Sequence, residues 1–208
     1  MKYLDIIYDT PNQYSDAYLN ALQKSCPDDI EIRVADNIAK WVVELKPTSS
    51  GVLVMMPTKY ADHTLSAAIP DRLDIDAVCF GHTHYRPATA TGIFNFINSY
   101  YEKKDTVILV IGRGKTVGRP LVDMCINYGY TVINTNSKTY KWDLNELLST
   151  ADIVVGASSE SNILDDEDFK HIHPLLIDTG HNFDVYNIAV KKCGRWTRNI
   201  IFERVRAN

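Results

Sequence analysis

Residues 106–120 read TVILVIGRGKTVGRP, and the order of their parts decides the fold. Residues 106–111 are the β-branched, apolar kind of run that fills a strand buried on both faces. A glycine turn follows, and Arg119-Pro120 opens an apolar helical pattern through Leu121, Met124, Cys125 and Tyr128. In that context glycines have separable roles. Gly112 permits the tight turn, Gly114 the close approach of backbone to a phosphate, and Gly118 the packing of helix on strand. Pro120 fits the first helical turn, where a missing N–H costs nothing. A pyrophosphate would lie over the N–H groups of Arg113, Gly114, Lys115, Thr116 and Val117 at the positive end of the helix.

The spacing is G-x-G-x-x-x-G rather than the commoner G-x-G-x-x-G. An ordinary tight turn is the alternative, and the flanking strand and helix favour the nucleotide. An NAD-specific site places an acid at the end of the next strand, where it binds the ribose 2′-hydroxyl. Here the strand over 131–134 runs into Asn134-Thr-Asn-Ser-Lys-Thr139, which is neutral to basic. Arg113, Ser137 and Lys138 are positioned to receive a 2′-phosphate, which favours NADP over NAD. Lys138 reads equally well as a solvated loop residue.

Working outward, short apolar runs at 3–7, 30–34, 51–56, 77–80, 106–111, 131–134, 153–155 and 175–178 read as strands. Between them lie helical faces. Tyr18, Leu19, Leu22 and Cys26 form one, Ile38, Trp41, Val42 and Leu45 a second, and Ile93, Phe96, Ile97 and Tyr100 a third. This alternation predicts an α/β protein of two βαβ domains around a cleft, each with a parallel sheet. The expected boundary is the turn-rich stretch before residue 91, giving domains 1–90 and 91–208. Lys191, Lys192, Arg195, Arg198, Arg204 and Arg206 make the tail basic, and it is expected to be a solvated hairpin turning at Cys193-Gly-Arg195. Trp41, Trp142 and Trp196 are read as packing residues.

With 208 residues the chain is long enough to bury a substantial core. A net charge of −4 offers no general attraction to nucleic acid or an anionic membrane. The four cysteines form no C-x-x-C pair, no run of apolar residues is long enough to span a bilayer, and no secretory leader is visible. A reduced, cytoplasmic protein is expected.

Residues 110–120 closely resemble the signature V-x-G-R-S-x-x-V-G-x-P of the methylenetetrahydrofolate dehydrogenase/cyclohydrolase (FolD-type) family. Further segments agree in the same order. Residues 51–57, GVLVMMP, are similar to that family's G-I-L-V-Q-L-P, and Asp74-Ile-Asp76 to its D-V-D. Residues 87–93 resemble P-C-T-P-x-G, 136–139 resemble H-S-x-T, 151–155 resemble A-D-I-V, and 177–182 resemble I-D-V-G-I-N. The resemblance covers roughly residues 3–182. It implies a Rossmann-type NAD(P) domain, a tetrahydrofolate derivative as substrate and a homodimer formed through the nucleotide domain.

The departures bear on chemistry. In the family's S-x-x-Y-x-x-x-K the tyrosine stacks on the pterin and the lysine does acid–base work. Here the tyrosine position is Tyr18 and the lysine position is Leu22, which has no proton to exchange. Lys24 lies two residues on, on another face of the helix. The glutamine supporting that lysine is replaced by Met55, whereas Asp76 survives where the family's aspartate holds the folate head group. The family's P-V-P-G-G-V-G-P-M-T segment and its final helix are expected to have no counterpart. Two functional readings follow. One is a dehydrogenase without cyclohydrolase activity, because hydride transfer asks mainly for positioning. The other is a non-catalytic protein that binds a dinucleotide as a sensor or structural partner.

Gly81-His-Thr-His84 resembles the G-H-x-H loop of metallophosphoesterases, but the Asp-x-His and Gly-Asp motifs such a centre needs are missing, and Asp62-His63 has the wrong spacing. No metal is expected, and His82 and His84 are read as loop-lining residues. Ser158, Ser159, Asp178, Gly180 and Asn182, at strand ends, are cofactor contacts or ordinary turn residues.

Overall fold

The computed structural model describes every residue except Phe80, Lys103, Lys104, Ser137 and 187–189, and the side chain of Val190. The chain divides into two compact units, residues Met1–Ala88 with Thr197–Asn208, and residues Thr89–Trp196.

In the first unit, β1 (Lys2–Ile7), β2 (Ile30–Ala35) and β3 (Gly51–Val54) form a parallel sheet in the order β2-β1-β3. Helix α1 (Gln13–Lys24) follows β1. Asn12 caps it by accepting the Tyr14 and Ser15 N–H groups, and the Ser15 hydroxyl answers back in a capping box. Leu22 on α1 packs with Leu4, Ile6, Leu53, Met55 and Ile75. Asp5 is buried in β1 but satisfied: it accepts Arg33 Nε at 2.7 Å and Trp41 Nε1 at 2.9 Å. Helix α2 (Ile38–Lys40) continues into a π-turn at Trp41–Leu45, and α3 (Asp62–Ala68) follows β3.

In the second unit, α4 (Ala88–Tyr100) leads into β4 (Val107–Ile111), α5 (Gly118–Tyr128), β5 (Thr131–Thr135), α6 (Lys141–Leu148) and β6 (Ile153–Gly156). The rest comprises β7 (Leu164–Asp165), β8 (Leu175–Asp178), β9 (Phe183–Asp184) and β10 (Val190–Lys192), and α7 (Gly194–Ala207) follows, most of it in the first unit. The main sheet is parallel, in the order β10-β8-β6-β4-β5. Strand β5 lies outside β4, and the chain then crosses back to place β6 on the other side of β4. The β4/β6 junction is therefore the topological switch point, where α/β sheets open a crevice for ligands. Register brings Thr135, Ile111, Gly156 and Asp178 into one row. The loops after all four strands thus leave from a common edge.

Three expectations are corrected. Residues 77–79 are not a strand: Ala77 has φ +50° and its N–H bonds back to the Asp74 carbonyl, so the chain is turning (Phe80 is outside the described residues). The basic tail is not a hairpin but β10 followed by α7. Ile201, Phe202 and Val205 are buried with Leu4, Ile6 and Leu22, and that apolar spacing is what makes the tail a helix. The segment 197–208 accordingly belongs to the first unit, and the first boundary falls at 88/89. Trp41 and Trp196 pack, the latter stacked on Phe96 at 4.2 Å, but Trp142 is exposed.

Candidate functional site

The glycine turn leaves β4 at the switch point, and its three glycines are not equivalent. Gly112 has φ +119°, and a Cβ there would stand 2.3 Å from the Ala157 carbonyl oxygen. A Cβ on Gly118 would lie 2.2 Å from the Gly112 carbonyl oxygen. Both are glycine because backbone meets backbone. Gly114 has neither reason: its φ is ordinary and a Cβ would meet nothing within 4 Å. Packing against the described residues therefore does not require the lack of a side chain there. Gly180, in the loop after β8, is open in the same way. No side chain caps the start of α5, and the turn is held instead by the Arg119 N–H on the Gly114 carbonyl at 3.0 Å. Lys115 is exposed, and Thr116 and Val117 are half-buried.

Asn134 occupies the strand-end position where an NAD site has its acid. Its Nδ2 donates to the Val110 and Gly112 carbonyls, both at 2.9 Å, which ties β5 to the turn. Its other atoms hold Arg113: Nε donates to Asn134 Oδ1 at 3.2 Å and Nη2 to the Asn134 carbonyl at 2.8 Å. The guanidinium is thus parked over the strand end, exposed, with donor capacity to spare. Lys138 is exposed nearby in sequence, its N–H bonded to Asn136 Oδ1. Ser137 lies outside the described residues.

The remaining strand-end residues mostly build the loops. Asp178 is buried and accepts the N–H groups of Gly180 and Asn182 and the ammonium of Lys192. Asn182 is fully buried, and its Nδ2 donates to the Ser158 and Glu160 carbonyls. The Ser158 hydroxyl accepts the Glu160 N–H, and Ser159 is exposed. Asn182 Oδ1 and Thr135 Oγ1 are buried at this edge without a hydrogen-bond partner among the described residues. Lys192 was missed by sequence reading, because only the β8–β10 register places it opposite Asp178.

In the first unit, Tyr18 is half-buried against a cluster that contains Leu22 and Met55. Leu22 is 0% exposed and Met55 4%. These two residues, which the sequence reading sets at the resembled family's lysine and glutamine positions, are part of an apolar core. Lys24 points to solvent. Asp76 accepts the Ala88 N–H at 2.6 Å, and burial pushes its carboxyl up to about 6 against the pull of that hydrogen bond and of Arg204. Arg204, buried on α7, donates to the Ile75 and Arg86 carbonyls and lies 4.7 Å over the Tyr85 ring. Sequence reading took Arg204 for a solvated charge. His82 Nδ1 lies 2.9 Å from Asp74 Oδ2, whereas the His84 N–H bonds to Asp71. Among the described residues no helix is long and apolar enough to cross a membrane.

The family model for the NAD(P)-binding domain of tetrahydrofolate dehydrogenase/cyclohydrolase matches residues 87–207, so it runs through α7 to the end of the helix. The chain is 31% identical over 214 residues to the bifunctional protein FolD of Burkholderia lata, an alignment spanning 92% of this chain and 72% of that protein. It is 30% identical to the FolD of Cupriavidus metallidurans, spanning 86% and 69%. It superposes with a TM-score of 0.80 at 16% identity on a methylenetetrahydrofolate dehydrogenase-cyclohydrolase from Trypanosoma brucei, solved with NADP and an inhibitor, spanning 99% of this chain and 85% of that one. The corresponding enzyme of Thermoplasma acidophilum gives 0.73 at 20%, spanning 98% and 87%. A profile match over more than half the chain, relatives at this identity and a glycine turn at the switch point agree. The chain belongs to the tetrahydrofolate dehydrogenase/cyclohydrolase family, with that family's NAD(P)-binding domain.

Proposed function

We propose that this protein is an NADP-preferring methylenetetrahydrofolate dehydrogenase that lacks cyclohydrolase activity. The observation that carries the proposal is a contrast in occupancy. The dinucleotide side keeps open space at Gly114 and Gly180, which a ligand resting on the backbone would use. The hydrolytic positions, Leu22 and Met55, are filled with hydrocarbon. In this reading the turn from Gly112 to Gly118, including Arg113, Lys115, Thr116 and Val117, holds the pyrophosphate. Arg113, with Ser137 and Lys138, would receive the 2′-phosphate, and Ser158 and Gly180 would border the nicotinamide, the group that would supply the hydride acceptor. Tyr18 stacks on the pterin and Asp76 bonds its head group. The family's homodimer is part of the reading. It is supported by β5, whose outer edge is unpaired in the sheet order.

The second reading, a dinucleotide-binding protein without turnover, draws on one feature. Cys193 alone separates β10 from α7, which leaves no room for the proline- and glycine-rich segment that frames folate and nicotinamide in the resembled family.

The test is the purified protein with NADP and 5,10-methylenetetrahydrofolate, followed by NADPH absorbance. The dehydrogenase reading expects NADPH to form while the methenyl product decays only at its spontaneous rate. Enzyme-dependent decay overturns the loss of cyclohydrolase, and NADP binding in calorimetry without NADPH formation establishes the second reading.

A further inference from the structure

Asp74, Cys79 and His82 each bring a potential metal-ligating atom to one point in the first unit, and those atoms lie within 4.8 Å of one another. We infer that this trio is a binding site for a borderline-soft divalent cation of the zinc(II) class. The inference does not depend on the dinucleotide or folate reading.

The turn that disqualifies 77–79 as a strand builds the site. Ala77, at φ +50°, reverses the chain, so that the N–H groups of Val78 and Cys79 bond back to the Asp74 carboxylate at 3.1 and 2.9 Å. The His82 N–H then bonds to the Cys79 carbonyl at 3.3 Å, which swings the imidazole onto the same carboxylate. Asp74 and Cys79 are buried and the His82 side chain is 11% exposed, so the site is shielded but reachable. The two N–H groups on Asp74 are the kind of outer support that orients a ligating carboxylate.

The ligand chemistry selects the ion. One sulfur, one nitrogen and one oxygen suit zinc(II); magnesium and calcium want oxygen throughout. Ligands about 2.0–2.1 Å from a tetrahedral ion stand roughly 3.3 Å apart. The Asp74–His82 separation of 2.9 Å therefore needs to open by only a few tenths of an ångström. Charge also balances. The dication with one carboxylate, one thiolate and one neutral imidazole is neutral overall, which a buried site demands. Cys79 gives up its thiol proton to solvent on binding, and water completes the tetrahedron. The ion would tie residue 74 to residue 82 and so fix the loop that carries Asp76.

Cobalt(II) and zinc(II) titrations of the full chain test this. One equivalent of cobalt(II) is expected to give a thiolate-to-cobalt charge-transfer band that zinc(II) displaces. Affinity should fall at least about tenfold in Cys79→Ser and in His82→Gln. It should hold in Cys26→Ser, whose thiol lies outside the trio. If either substitution prevents folding, zinc-edge X-ray absorption of the zinc-loaded wild type decides, with one sulfur at about 2.3 Å expected. No thiolate band, no sulfur in the zinc shell, or unchanged affinity in Cys79→Ser and His82→Gln overturns the inference and leaves the hydrogen bonds to Asp74 to close the loop.

Discussion

The turn after β4 and the inner face of α1 both resemble parts of a working site in sequence, and they differ in what fills them. The turn keeps an opening at Gly114 that its own packing does not use. On the helix, Leu22 is part of the core, where it is 0% exposed beside Met55. In the reading proposed above, the contrast teaches that sites are lost by different routes. A backbone site resists, because Gly112 and Gly118 are also needed for the fold, so any substitution there damages both. A side-chain site is lost by one exchange that improves packing. Swapping a buried lysine for leucine removes a desolvated charge and adds apolar contact.

The sharpest way to break the comparison is Leu22→Lys. If the space around residue 22 were still a pocket, the change would restore hydrolysis. The packing instead leads us to expect destabilisation by roughly 3–5 kcal/mol with no gain in methenyl hydrolysis, read by urea denaturation and by the decay assay. Next comes Gly112→Ala, which meets the Ala157 carbonyl at a positive φ and should cost about 3 kcal/mol in the same denaturation. Gly114→Ala sharpens the contrast. Its melting temperature should be unchanged, but NADP affinity in calorimetry should fall about tenfold or more, equivalent to about 1.4 kcal/mol. Arg113→Ala should erase most of the preference for NADP over NAD, about tenfold, with little effect on NAD itself.

The last test concerns pH. Folded Asp76 titrates near 6 against an ordinary 3.8, so the folded chain holds that proton more tightly than the unfolded one. The contribution favours folding below about pH 4 and is lost as pH rises toward 6. Asp76→Asn should flatten the stability profile across that window, as measured by denaturation at stepped pH.

Much of the second unit is legible in the sequence because its signals are local. A strand, a glycine turn and a helix are adjacent in the chain, and the identity of each residue limits its own φ and its neighbours' hydrogen bonds. Arg113 and the missing acid at Asn134 can be read in the same way, although their hydrogen bonds to each other cannot. Residues 77–79 mislead because apolar content alone does not distinguish a strand from a buried turn. The tail misleads because its charges dominate its composition, while Ile201, Phe202 and Val205 declare a helix only by their spacing.

By itself, the sequence determined the parallel α/β class, the strand, glycine turn and helix in their order, the family and the leucine at residue 22. All are properties of residue identity within a short stretch of chain. Only the tertiary structure decided that Leu22 and Met55 share one core, that α7 belongs with the first unit, that Lys192 faces Asp178, and that Asp74, Cys79 and His82 converge. Each of these joins residues by register or packing across sequence separations that no local pattern encodes, because burial of an apolar face fixes where a segment docks without marking its partner in the chain.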